Sequence, residues 1–356
     1  MARNSMRLKG VVLLVIVALG FSQFVTKAQD TRPRPGVPMF EVEPGWLKMP
    51  ENMKFGGLMG LAVDAQDHLW VVGRAAMVKD QEKAAPLVSE FDATGKFVQG
   101  WGGPGAGYEW PVDWPHGIFI DYQDIVWIGA SGSTPEKPEN EILKFTRAGK
   151  FLLQIGHRGR GKGSNDTENL GNAADIFVHP KTNEAFVADG YLNKRVIVFD
   201  ASTGEFKRYW GAYGNKPDDA PGQGQQQFAT VHQVRVSNDG LVYVVIMGQG
   251  RIQVFTLDGK YLREAYLSKD IPGTGGGASA IAFSNDPQQK FIYVNDFARQ
   301  VVHIVDRRTL ETVGWIGAGG ELKQPHHLAA DSKGNLFISE LGGRIHKFVF
   351  KGIAAP

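Results

Sequence analysis

The chain has 356 residues, 42% of them apolar, with 45 glycines and no cysteine. This is enough for one large domain or two small ones, with the composition of a turn-rich all-β protein rather than a disordered chain. Of the net charge of +2, four positive charges and no acid fall in residues 1–28; removing them leaves −2, which gives no electrostatic reason to expect nucleic acid or acidic lipid as a partner.

Residues 1–28 read as a secretory signal. Arg3, Arg7 and Lys9 form a basic region. Val11–Phe21 is an apolar run too short to persist as a membrane-spanning helix, and Thr26-Lys27-Ala28 suits cleavage near Ala28. The expectation is export, periplasmic or secreted, with no stable membrane association after cleavage; an uncleaved anchor is the alternative. With no cysteine, the exported chain must be held by its core alone, and any metal must use His, carboxylate or carbonyl ligands.

Residues 29–38 form a Pro-rich lead-in containing Arg32-Pro33-Arg34-Pro35. Phe40–Leu47 can be a strand that Pro44 confines to an edge or end. From there the sequence repeats. Each unit opens on a short apolar strand ending near Asp or Asn: Leu61–Asp64, Ile118–Asp121, Ile176–His179, Val234–Asn238, Ile281–Asn285 and Leu328–Asp331. A second strand follows a turn: Leu69–Val72, Ile125–Ile128, Ala185–Ala188, Leu241–Ile246, Phe291–Asn295 and Leu336–Ser339. A third alternates: Val88–Phe91, Ile142–Phe145, Val196–Phe199, Ile252–Phe255, Val302–Val305 and Ile345–Phe348. A fourth often ends before Gly, as at Trp101-Gly102 and Trp210-Gly211.

The period is 47 to 58 residues, and four strands at that length make one blade of a β-propeller. The last unit has three strands, so the N-terminal strand is expected to supply its fourth and close the ring. The fold class is therefore all-β, a six-bladed β-propeller spanning residues 39–356. Long connections at Gly102–Asp113, His157–Asn172, Asn215–Gln227 and Pro272–Gly277 all join a fourth strand to the next first strand, which crowds one face.

Aligned on the first strands, one column reads Met59, His116, Ala174, His232, Ser279, His326. First strands line the central channel of a propeller, so histidines from every second blade point at one axis. Three imidazoles converging there suit Zn2+ or a similar divalent ion, with coordination positions left for water or substrate. His327 adjoins the column as a second layer or a fourth contact. His68, His157, His179, His303 and His346 fall outside it. Arg74, after the second strand of blade 1, and Tyr191, in Asp189-Gly190-Tyr191-Leu192-Asn193, reach the same mouth. Arg suits a carboxylate, and a Tyr beside a cation and a metal can have its pKa lowered enough to act as a base.

The repeats resemble NHL repeats. Pro115-His116-Gly117, Val231-His232, Pro325-His326, Arg74 and the Asp-Gly-Tyr-x-Asn turn at Tyr191 together resemble the lyase domain of the peptidylglycine α-amidating enzyme, peptidyl-α-hydroxyglycine α-amidating lyase. The similarity runs from about Gly57 to Phe350. It implies a six-bladed propeller with an axial Zn2+ on His116, His232 and His326, with Tyr191 and Arg74 catalytic. It also implies a Ca2+ held by carbonyls at Leu61 and Ile118 and by an Asp, but here that position is His327. The family's Asp-Arg pair after the second strand of blade 4 is Ile246-Met247 here, and its disulfides and mono-oxygenase domain are absent from this chain.

The function this implies is cleavage of the C–N bond of a peptidyl-α-hydroxyglycine-like carbinolamide, from a small-molecule or peptide C-terminal substrate supplied by a separate mono-oxygenase. The alternative is a non-catalytic NHL propeller that binds a peptide, glycan or protein on its loop-rich face. A metal-dependent lactonase ranks lower, because such propellers hold their ion with carboxylates and Asn, and no first-strand column here offers them.

Overall fold

A computed structural model describes residues 34–111, 114–132, 138–222, 224–267 and 277–355. The signal at 1–28, the start of the lead-in, Val112-Asp113 and nearly all of the Pro272–Gly277 connection lie outside the described residues. Among the described residues no helix is long and apolar enough to cross a membrane.

Six four-stranded antiparallel sheets follow one another along the chain. Blade 1 comprises Gly57–Val63, Leu69–Arg74, Val88–Phe91 and Phe97–Trp101; the other five repeat the pattern. In blade 6 the strands Pro325–Ala330, Leu336–Glu340 and Ile345–Ile353 are joined at the outer edge by Pro38–Val42, with Phe40 opposite Phe350. The first described strand thus pairs with the last, and the ring has no open seam.

This closing strand is Pro38–Val42 rather than Phe40–Leu47. Pro44 has no N–H to continue the ladder, and Gly45 turns the chain at φ +67°. Trp46 then buries itself between blades 6 and 1.

The alternation of each strand explains the core. In the second strand of blade 1, Trp70 and Val72 face blade 2, where they join Ile118, Val126 and Phe145. Their neighbours Leu69 and Val71 face the other way and meet Phe337 of blade 6. The same two-sided burial recurs around the ring, so the apolar core consists of layers between adjacent blades. The Asp that ends a first strand has a local role. Asp64 accepts the turn N–H groups of Gln66 and His68 on one oxygen and the Trp70 indole N–H, at 2.9 Å, on the other. Asp121 and Trp127 repeat this at 2.8 Å.

First strands begin three or four residues earlier than the apolar triplets indicate: Gly57–Val63, Pro115–Ile120, Ala173–His179, Thr230–Val236, Ala278–Phe283 and Pro325–Ala330. In all six, the pairing with the second strand slips at one place, where the column residue sits. A bulge leaves a residue out of the ladder and re-aims its side chain. Here it turns Met59, His116, Ala174, His232, Ser279 and His326 out of the sheet pattern at the head of each blade.

Candidate metal centre

His116, His232 and His326 are buried, and their ring centroids stand 4.9, 5.0 and 5.0 Å apart. One nitrogen from each lies within 4.8 Å of the others, a cluster able to hold a metal ion. Each Nδ1 donates to the backbone carbonyl of the column residue in the next blade: His116 to Ala174 at 2.8 Å, His232 to Ser279 at 2.6 Å, His326 to Met59 at 2.7 Å. Blades 2, 4 and 6 therefore supply the clustered imidazoles, and blades 3, 5 and 1 supply the carbonyls that orient them. A carbonyl on Nδ1 fixes the tautomer and leaves the Nε2 lone pair free for a metal.

The electrostatics agree. Burial depresses the His232 pKa to about 4, and burial together with His232 takes His326 to about 3. His116 is likewise held well below the ordinary imidazole value by burial and by its histidine neighbours. All three are neutral near pH 7, which is the form that binds a metal. The Nε2 of His232 has no hydrogen-bond partner among the described residues, an orphaned buried acceptor of the kind a cation satisfies.

Tyr191 donates its hydroxyl to His116 Nε2 at 2.9 Å, so it reaches the same point. Its turn is held from three sides. Asp189 accepts the Gly171 N–H, the Asn193 amide and the Arg195 Nε. A Cβ on Gly190 would lie 2.2 Å from backbone atoms of Val231, so the turn is pressed against the next blade and only Gly fits. The Asp-Gly-Tyr-x-Asn pattern is thus a positioning device as well as a source of the hydroxyl.

In the ion-free protein burial raises the Tyr191 pKa, and the charge of Arg74 only opposes this. Arg74 is the last residue of its strand, not the one after it. It is buried, with its guanidinium carbon 3.5 Å from the ring centroid of Trp114. Burial lowers its pKa to about 10, so it remains a cation at neutral pH. Among the described residues Arg74 makes no ion pair and its Nε has no partner, which leaves it available to an anion.

Of the other histidines, His68 bonds Glu90, His157 bonds Glu109, His179 bonds Thr182, His303 bonds Asp296 and Thr312, and His346 bonds Glu340. His303 is buried within the strand Val301–Asp306. A second cluster of Asp64, His68 and Glu90 is close enough for a metal but already holds the Arg147 guanidinium from blade 2, 2.8 Å from Asp64 and bonded to Glu90. It is an inter-blade clamp.

His327 is fully buried beside the centre but outside the set of mutually close ligand nitrogens. Leu61 and Ile118 lie in the first strands of blades 1 and 2. Ile246-Met247 ends the second strand of blade 4. The carbonyl partners Met59, Ala174 and Ser279 were not singled out in the sequence; the column alignment names the residues but not their role.

No family model matches the chain. It is 26% identical over 324 residues to NHL repeat-containing protein 3 of Homo sapiens, covering 87% of this chain and 84% of that protein. It is 31% identical over 239 residues to Peptidyl-glycine alpha-amidating monooxygenase of Mus musculus, covering 64% of this chain but only 22% of that protein's length. Among solved structures a streptogramin B lyase shares the fold, with a TM-score of 0.54 at 14% identity over 88% of this chain and 98% of that one. The chain is accordingly a six-bladed β-propeller, similar in sequence to NHL repeat-containing protein 3 and to the peptidyl-glycine alpha-amidating monooxygenases.

Proposed function

We propose that the chain is an exported, Zn2+-dependent lyase that cleaves a peptidyl-α-hydroxyglycine-like carbinolamide to an amide and glyoxylate, its substrate coming from a separate mono-oxygenase. The observation that carries this reading is the convergence of three neutral, carbonyl-anchored imidazoles with the Tyr191 hydroxyl 2.9 Å from one of them. Zn2+ on the three Nε2 atoms would supply the Lewis acidity that lowers the pKa of a substrate hydroxyl.

The remaining roles belong to the chain. Arg74, stacked on Trp114 and unpaired, grips the substrate carboxylate. Its charge also favours the phenolate of Tyr191, against burial. Tyr191 as phenolate accepts the hydroxyl proton. The O–H electron pair becomes the C=O of glyoxylate, the C–N bond breaks, and the amide nitrogen leaves with the proton returned by Tyr191. The similarity to the amidating monooxygenases supports this reading.

The test is elemental analysis and glyoxylate release from α-hydroxyhippurate on one purified sample. About one Zn per chain with glyoxylate release is expected, both lost in His116→Ala, His232→Ala and His326→Ala. Metal-free protein with no turnover sinks the proposal. A second reading, a non-catalytic propeller binding a peptide, glycan or protein on its loop-rich face, is favoured by the similarity to NHL repeat-containing protein 3 along most of both chains. Bound Zn without glyoxylate release would select it.

A further inference from the structure

The inner side of the three-histidine layer carries a group that the proposed reaction does not use. His327 is fully buried, and neither ring nitrogen has a hydrogen-bond partner among the described residues. Every histidine outside the central group has at least one. Its ring centroid lies 5.9 Å from His116, 5.8 Å from His232 and 5.5 Å from His326. Near-equal distances to three rings place it close to their common axis. It follows His326 in a strand that runs inward from the mouth, so it stands beneath the layer, on the side away from the loops that carry Tyr191.

It does not stand alone. Ser279 Oγ, Gln233 Nε2 and both side-chain polar atoms of Asn295 are buried and unpartnered among the described residues. Ser279 occupies the column in blade 5, and its carbonyl takes the His232 Nδ1 proton. Asn295 lies across from the Ser279 bulge, between the residues that pair with Ala278 and Ile281. Gln233 follows His232 and accepts the Ile281 N–H with its oxygen, leaving its amide nitrogen unused. Three successive blades thus carry buried polar atoms with no partner among the described residues. Buried polar atoms in such number are satisfied by ordered water or an ion.

We infer that His327 holds a water on the inner face of the metal centre, and that this water is a further ligand of the ion. The inference rests on the metal reading of the three histidines. Direct ligation fits less well. A ligand nitrogen must come within about 2.1 Å of the ion, yet His327 lies farther from each of the three rings than they lie from one another, and its nitrogens are outside the 4.8 Å set. A water about 2 Å from the ion and about 2.9 Å from an imidazole nitrogen spans the wider gap. The imidazole also has a donor and an acceptor, so it can orient that water in either sense. His327 is then a positioning residue. It sets the coordination number from below and leaves the mouth side to substrate.

The test uses the full chain loaded with Co2+ or Zn2+, in wild type, His327→Leu and His327→Gln. Gln can still bond a water; Leu cannot. Visible absorption of the Co2+ form reads the coordination number, since losing a ligand toward four-coordination strengthens the d–d bands. Competition with a chromophoric chelator reads Zn2+ affinity, and circular dichroism checks folding. Expected are stronger Co2+ bands and about tenfold weaker Zn2+ binding in His327→Leu, with His327→Gln close to wild type. An unchanged Co2+ spectrum and unchanged Zn2+ affinity in a folded His327→Leu overturn the inference and leave the proposed function standing. A wild type that binds neither ion overturns both.

Discussion

The depressed pKa values of the central histidines make the ion-free protein acid-sensitive in a defined window. His232 and His326 have folded-state pKa values of about 4 and about 3, against 6.5 for an unfolded imidazole. Above pH 6.5 both states are neutral and the residues contribute nothing to pH dependence. Below it the unfolded chain takes up protons that the folded chain refuses, so stability falls as pH falls, until the folded pKa values are reached. At pH 5.0 the loss is about 2 kcal/mol per histidine, about 4 kcal/mol for the pair. That is a large share of the 5–15 kcal/mol that typically stabilises a domain.

Two carboxyl groups work in the opposite direction, so the pair must be isolated by difference. Burial raises Glu141 to about 9 and Asp175 to about 6, and their protonation favours the folded state as pH falls. The assay is denaturant unfolding of metal-free wild type and of His232→Gln/His326→Gln between pH 7.5 and 5.0. Gln does not titrate, so the stability difference between the two proteins should shrink by about 4 kcal/mol across the range. A difference that stays constant with pH would refute the claim that these imidazoles are held neutral by burial.

Other substitutions probe the site one part at a time. Tyr191→Phe should keep the fold and the metal content but lower glyoxylate release by about 10²–10⁴-fold; retained turnover removes the proposed base. Arg74→Met should leave Zn2+ content intact and raise KM for α-hydroxyhippurate at least tenfold, measured by steady-state kinetics, because an uncharged side chain cannot grip the carboxylate. Gly190→Ala places a Cβ 2.2 Å from Val231 backbone atoms. The shift this forces should cost about 1–3 kcal/mol in unfolding experiments and displace Tyr191 enough to lose turnover while the histidines still bind metal.

Much of this was legible in the residues themselves. The repeat announces itself because all six blades share the same alternating strands and blades 1, 2 and 6 share an Asp-capped turn, as Asp64 with Trp70, Asp121 with Trp127 and Asp331 with Asn335 illustrate. The histidine column was readable for the same reason: a period fixes which residues share a level around the ring. Strand ends were less legible. The bulge at the column residue lets pairing resume on its far side, and apolar periodicity does not register a bulge.

The amino-acid order by itself determined six four-stranded units, a last unit lacking one strand, and three histidines at matching positions in alternate units. Only the closed ring decided what those histidines do. His326 and His327 are neighbours in the chain, yet a ring nitrogen of one falls within the mutually close three-histidine set while those of the other lie outside it, unpartnered among the described residues. The carbonyls of Met59, Ala174 and Ser279 orient the imidazoles although nothing in those side chains marks them. The phenol of Tyr191 is held protonated by burial before any cation arrives. Each of these depends on distances between blades that are remote in sequence, and such distances exist only once the inter-blade layers have packed and the strand Pro38–Val42 has paired with Ile345–Ile353.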